Sequence, residues 1–137
     1  MKSLFSLTKS FAVVIIFFSV QILLSSAEAK KEIKTIEVLA TAYNSVLNQT
    51  DDSPFEAAWG DILDPEIKSI AISSDLLDMG LTQYSKVVID GLPGEYLVLD
   101  KMNSRWEKKI DIYMGTDVQE ALEWGIKKVI ISWEAEP

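Results

Sequence analysis

The chain has 137 residues, with 13 Lys and Arg against 21 Asp and Glu, no His, no Cys and a formal net charge of −8. These counts exclude disulfides, make a zinc or other soft-metal centre untenable, and rule out any nucleophilic triad that needs His or Cys. An acidic chain also makes a poor ligand for nucleic-acid phosphates, so the catalytic chemistry left to it is that of carboxylates.

The first segment reads as a secretory signal. Lys2 and Lys9 precede an apolar run from Phe11 to Leu24, and Ser25-Ser26-Ala27-Glu28-Ala29 supplies small residues around an A-x-A site. The run is shorter than the roughly 20 residues of a comfortable membrane span. Cleavage after Ala29 removes two basic residues and one acidic one, leaving 108 residues with eleven basic against twenty acidic side chains, a net charge of −9. That length suits one small domain.

A charged tether, Lys30 to Lys34, leads into a strand from Ile36 to Tyr43. There Ile36, Val38, Ala40 and Ala42 alternate with Glu37, Leu39, Thr41 and Tyr43. Asn44 to Pro54 is a polar, turn-rich loop of the length that compact domains reserve for function. Trp59 stands just before Gly60. A short strand spans Ile67 to Ile72, and Ser74 to Met79 makes a helical turn stopped by Gly80. Strands follow at Lys86–Asp90, Tyr96–Asp100 and Lys109–Tyr113, the first two joined by the turn Gly91-Leu92-Pro93-Gly94. Thr116-x-x-Gln119 reads as the capping box of one helix, with Val118, Ala121 and Leu122 on its apolar face and Gly125 at its end. Lys128 to Trp133 is the last strand. Many short strands and one short helix indicate a mainly-β fold, and periodicity alone leaves barrel and sandwich both open.

Two acids stand inside strand-like runs eleven residues apart: Asp100 after Tyr96-Leu97-Val98-Leu99, and Asp111 between Ile110 and Ile112. Alternation places Asp111 with Lys109 and Tyr113, opposite the isoleucines, and Asp100 with Tyr96 and Val98. The core then takes Ile110, Ile112, Leu97, Leu99, Val129 and Ile131. If the opposite faces line one groove, the two carboxylates converge. Their repulsion raises one pKa, and a carboxyl group kept protonated near neutral pH is what a glycosidic oxygen needs as general acid. On spacing alone, solvated charges paired with Lys101, Lys108 or Lys109 are the competing reading. Trp106, Trp124 and Trp133 read as packing residues, whereas Trp59 can equally stack on a sugar ring.

The succession "ATAYNS" (40–45), "QTDDSPFEAAWG" (49–60), "IAISSDLLDMG" (70–80), "YLVLDKMN" (96–103), "KIDIYMG" (109–115) and "ALEWG" (121–125) resembles the bacterial 3D domain, a family named for three aspartates. It is similar to the catalytic barrel of the membrane-bound lytic transglycosylase A family and to stationary-phase survival and resuscitation-factor-like cell-wall proteins. The likeness runs from Val38 to about Ile131.

The resemblance implies a small double-psi β-barrel that cleaves peptidoglycan glycan strands. Asp111 matches the third family aspartate, the acid/base, and Asp100 the second. The first falls at Ser73, where this chain departs from the pattern. Tyr43, Thr50, Asn103, Ser73 and Trp59 are the expected substrate-binding residues. No metal and no cofactor are expected. The expected partner is the peptidoglycan glycan strand and not nucleic acid, in a monomer of the periplasm, cell envelope or extracellular space, with peripheral outer-membrane association left open. The alternative is a catalytically silent barrel that binds peptidoglycan or a partner protein. The leader reading has its own test: N-terminal sequencing of exported protein should begin at Lys30, and an intact leader in a membrane fraction would overturn it.

Overall fold

The computed structural model describes residues 31–45 and 55–135. The leader and its cleavage site, Thr50 and Asp52 lie outside the described residues. Six strands close into a barrel: β1 (Glu32–Tyr43), β2 (Ser69–Ile72), β3 (Lys86–Ile89), β4 (Glu95–Lys101), β5 (Lys109–Tyr113) and β6 (Lys127–Ala135), in the order β1-β5-β2-β4-β3-β6. Two short helices decorate it, α1 (Ser74–Asp78) and α2 (Val118–Trp124). The expected mainly-β barrel is therefore the fold, and among the described residues no helix is long and apolar enough to cross a membrane.

The topology has a hidden symmetry. β1 pairs parallel with β5 and β2 parallel with β4, while every other neighbouring pair is antiparallel. Exchanging β1 with β4, β2 with β5 and β3 with β6 leaves both the strand order and the pairing directions unchanged. In each half two consecutive strands hold a strand of the other half between them: β5 lies between β1 and β2, and β2 between β4 and β5. These are two interlocked ψ motifs. Their pseudo-twofold falls at the β2–β5 pair, where Ile70 meets Ile112, Ala71 meets Asp111 and Ile72 meets Ile110.

Alternation sorts the side chains. Val38, Ala40, Ile70, Ile72, Val87, Ile89, Val98, Ile110, Ile112, Ile131 and Trp133 fill the barrel with almost no exposure. In β6 the inward residues alternate with Ile130, Ser132 and Glu134, so a single face is buried. β4 departs from simple alternation. Its inward residues are Tyr96 and Val98, and Leu97 and Leu99 join a second cluster on the outside with Ala57, Leu63, Tyr113 and Tyr43. The expectation that Leu97 and Leu99 face the barrel is thus corrected. The reason is phase: Tyr96-Leu97-Val98-Leu99 is apolar on both faces, and Tyr96 and Val98 take the inward one. A bulge then breaks the period, since Ile70 pairs with Val98 but Ala71 with Asp100, so that Asp100 points outward like Leu99.

The second helix also differs from its sequence reading. Its cap is Asp117, whose carboxylate accepts the Glu120 N–H at 2.9 Å, one residue later than the Thr116 box. Trp124 packs against the main core, while Leu122 is 71% exposed. The buried side of the helix is therefore rotated away from Leu122.

Two substitutions test this division. Ile110→Ala should cost about 2–5 kcal/mol, the usual penalty for emptying a closed core site. Leu122→Ala should stay within about ±0.5 kcal/mol, as exposed sites do. Denaturant unfolding measures both, and a large loss at Leu122 would mean that its face is covered.

Candidate functional site

The outer face of four neighbouring strands carries one row of residues in register. Thr41 on β1 pairs with Asp111 on β5, Asp111 with Ala71 on β2, and Ala71 with Asp100 on β4. The pseudo-twofold relates Thr41 to Asp100 and Ala71 to Asp111. The first half thus supplies the two uncharged residues of the row and the second half both acids. The two aspartates are separated by a single strand, which sets their Cα atoms roughly 10 Å apart. Both carboxylates are half-buried on this face. They come together as expected, but Asp100 does so through the bulge rather than by sharing a face with Tyr96 and Val98.

Each acid is held differently. Asp111 accepts a hydrogen bond at 2.9 Å from the Thr41 hydroxyl. Asp100 is surrounded by donors: Oδ1 accepts the N–H of Ala58 at 2.7 Å and of Lys101 at 2.8 Å, and Oδ2 accepts the Tyr43 hydroxyl at 3.3 Å. The Ala58 bond ties the segment 55–63 over this face, and Ala57 and Leu63 of that segment pack on Leu99 and Tyr113. Tyr43 and Tyr113 meet with ring centres 5.3 Å apart, tilted by 49°.

Burial pushes the Asp111 carboxyl above the ordinary aspartate range. The Thr41 hydrogen bond and the Lys109 cation pull the other way, and the repulsion from Asp100 adds to the rise as the smallest of the four influences. The direction matches the sequence expectation, and the principal cause is removal from water rather than the neighbouring charge. Tyr43 is pushed far above the usual tyrosine range, first by burial and then by Asp100, so it serves as a hydrogen-bond donor and stays protonated.

The remaining expected site residues scatter. Tyr43 belongs to the site. Asn103 is exposed in the turn after β4, its Oδ1 accepting the Arg105 N–H at 3.1 Å. Trp59 is half-buried against the main core. Ser73 is fully buried, and its Oγ accepts the Lys109 N–H at 3.0 Å, so its side chain stitches the start of α1 to β5. Thr50 lies outside the described residues. Thr41 is the neighbour that sequence reasoning left without a role. Alternation already places Thr41 on the face of Tyr43, but the register that sets it against Asp111 is a tertiary property.

The hydroxyl of Tyr113 is buried without a hydrogen-bond partner, a costly state that marks the spot as one to explain. Tyr113 also borders a hollow of about 380 Å³ shared with Ile67, Lys68, Tyr96 and Glu120. A larger hollow of about 580 Å³ lies on the outer face of β3 and β6, away from both aspartates. Its charged walls are spent on each other in the ion pairs Lys31–Glu134 and Lys86–Glu95. Among the described residues, no cluster of acids is gathered to hold a metal. No protein-family model matches the chain, and no curated protein matches it.

The raised Asp111 has a consequence for stability. An acid whose folded pKa lies above its unfolded value of about 3.9 binds its proton more tightly in the folded state. Its contribution is fully favourable below about pH 4 and is lost as the pH climbs through the raised folded value. Asp111→Asn lacks this loss and still offers an oxygen to Thr41. Its melting temperature relative to wild type should therefore rise between pH 4 and pH 7. Thermal melts across that range would contradict the assignment if the difference stayed flat.

Proposed function

We propose that the protein is an exported cell-envelope enzyme of the lytic transglycosylase type, cleaving peptidoglycan glycan strands with Asp111 as acid and base. One observation carries this reading: a half-buried carboxyl group, pushed toward its protonated form by burial, lies on an outer barrel face beside a second aspartate. The sequence likeness to the 3D domain, with its double-psi barrel, supplies the substrate class.

The proposed chemistry needs only one group of that kind. Hydrolytic glycosidases use two carboxylates, on either side of the bond or about 5 Å apart. Here protonated Asp111 gives its proton to the glycosidic oxygen as the bond to the anomeric carbon of the muramic residue breaks. The 6-hydroxyl of the same sugar attacks that carbon and returns its proton to Asp111. The product is a 1,6-anhydro sugar, water does not enter, and Asp111 ends as it began. Thr41 orients the carboxyl through its 2.9 Å hydrogen bond. Asp100 faces the positive charge that develops on the sugar ring, with Tyr43 fixing its second oxygen.

A second reading has its own support. Both oxygens of Asp100 are already satisfied within the chain, by Ala58, Lys101 and Tyr43. An acid so placed can serve to pin segment 55–63, and Ser73 at the first family position is a buried structural residue. On that reading the barrel binds glycan or a partner protein without cleaving.

Incubation of purified sacculi with the mature protein, followed by mass spectrometry, separates the two. Wild type should release anhydro-muropeptides and Asp111→Asn should release none. Asp100→Asn should lower the rate while moving the alkaline limb of the pH profile only slightly downward, because Asp111 must begin protonated and the Asp100 charge is the least of the influences on it. Release of nothing by folded wild-type protein would sink the enzyme and leave the binding barrel.

A further inference from the structure

The outer face carries a cationic feature that the acid/base chemistry leaves unused. Lys109 stands two residues before Asp111 on the same face of β5, and only 8% of it is exposed. Its ammonium group rests 3.7 Å from the centre of the Trp106 ring. The Arg105 guanidinium lies 5.0 Å from the same ring. The ion pairs among the described residues belong to Lys31, Lys86 and Lys128, and neither Lys109 nor Arg105 takes part in one. Asp75, the neighbouring acid of α1, accepts the backbone N–H of Lys108 instead.

A lysine buried to this degree is rare unless it is paired. The face of an indole ring attracts an ammonium group, but it engages one side of that group and leaves N–H donors without an acceptor. The backbone of Lys109 is clamped as well: its N–H goes to Ser73 Oγ at 3.0 Å and its C=O accepts the Ser73 N–H at 2.9 Å. The cation is thus held in a fixed place rather than left to swing into solvent. Two cations on one ring also reverse the local sign in a chain whose net charge is −8. The nearest strand neighbour on this face, Asp111, is an acid that burial drives toward its neutral form, so it offers less repulsion to an incoming anion than an exposed aspartate would.

We propose that Lys109, Arg105 and the Trp106 ring form a carboxylate-binding subsite beside Asp111, and that its ligand is a sugar bearing an acidic substituent. The identity of the sugar rests on the transglycosylase reading above, whereas the subsite rests on the geometry of the three side chains. In a glycan of alternating glucosamine and muramic residues, only the muramic residue carries a lactyl ether, and its carboxyl group is free and charged where the stem peptide has been removed, so the subsite selects glycan stripped of peptide. A cationic subsite there selects which residue stands next to Asp111. It would bring the sugar that owns the attacking 6-hydroxyl into register, making Lys109 a specificity-determining residue.

The probes are N-acetylmuramic acid and N-acetylglucosamine, titrated separately into the mature protein and followed by amide chemical-shift changes. The acidic sugar should bind about ten-fold more tightly, the scale of one charge-assisted contact. The preference should shrink as salt is raised. Lys109→Met, which keeps the aliphatic stem, should abolish the preference, and Arg105→Gln should narrow it. If Lys109→Met does not fold, Arg105→Gln decides, because Arg105 is exposed. Equal binding of the two sugars, binding of neither, or a preference retained in the folded variants would overturn the subsite. Sacculus cleavage is read independently. A preference intact in a protein that cleaves nothing upholds the subsite and removes the enzyme, while cleavage with no preference between the sugars removes the subsite alone.

Discussion

One additional residue in β4 decides what the outer face of this barrel is. Strict alternation would carry Asp100 inward behind Tyr96 and Val98, into an apolar core where a buried carboxylate is prohibitively costly. The bulge at Leu99 turns Asp100 outward into the row of Thr41, Asp111 and Ala71. Leu99, already outward by alternation, joins the second cluster beside it, where Ala57 and Leu63 cover it. The segment that supplies those two residues donates its Ala58 N–H to Asp100. Bulge, covering segment and acid row therefore depend on one another, the usual company a bulge keeps beside a functional site.

The unequal surroundings of the two aspartates follow from that arrangement. Asp100 is met by two backbone N–H groups and a tyrosine hydroxyl, whereas Asp111 has a threonine hydroxyl and the Lys109 cation against the loss of water. Two chemically identical side chains, separated by one strand, thereby have different surroundings, and burial more than mutual repulsion sets the state of Asp111.

Much of the fold was legible because period-two alternation is a local signal. The strands around Val38, Ile110 and Ile131 follow from it directly, and so does the outward turn of Asp111 between Ile110 and Ile112. The signal failed at β4, because a bulge breaks the period without marking the sequence: Tyr96-Leu97-Val98-Leu99 is apolar on both faces and fits either phase. It failed again at the second helix, where Thr116 and Asp117 are both capping residues and only the backbone reveals which one caps. Of the site, the outward face of Asp111 could be anticipated, whereas Asp100 reaches the same face only through the bulge. The partners Thr41 and Ala58 could not, since each is brought in by a pairing between segments distant in the chain. Ser73 shows the limit most plainly, for its type says turn or cap while its buried oxygen serves a backbone amide on another strand.

The interlocked order of the strands has a consequence for how the molecule is made. Of the six neighbouring pairs around the barrel, only β3–β4 joins strands consecutive in the sequence. Each of the other contacts requires a long loop to close before any stabilisation is returned, which places the protein among slow-folding topologies. The wall between β1 and β3 is β6, so a nascent chain halted before Lys127 has two open edges and an uncovered core. The core is therefore sealed only when the last strand docks, and until then its edges and apolar interior stay open to other proteins.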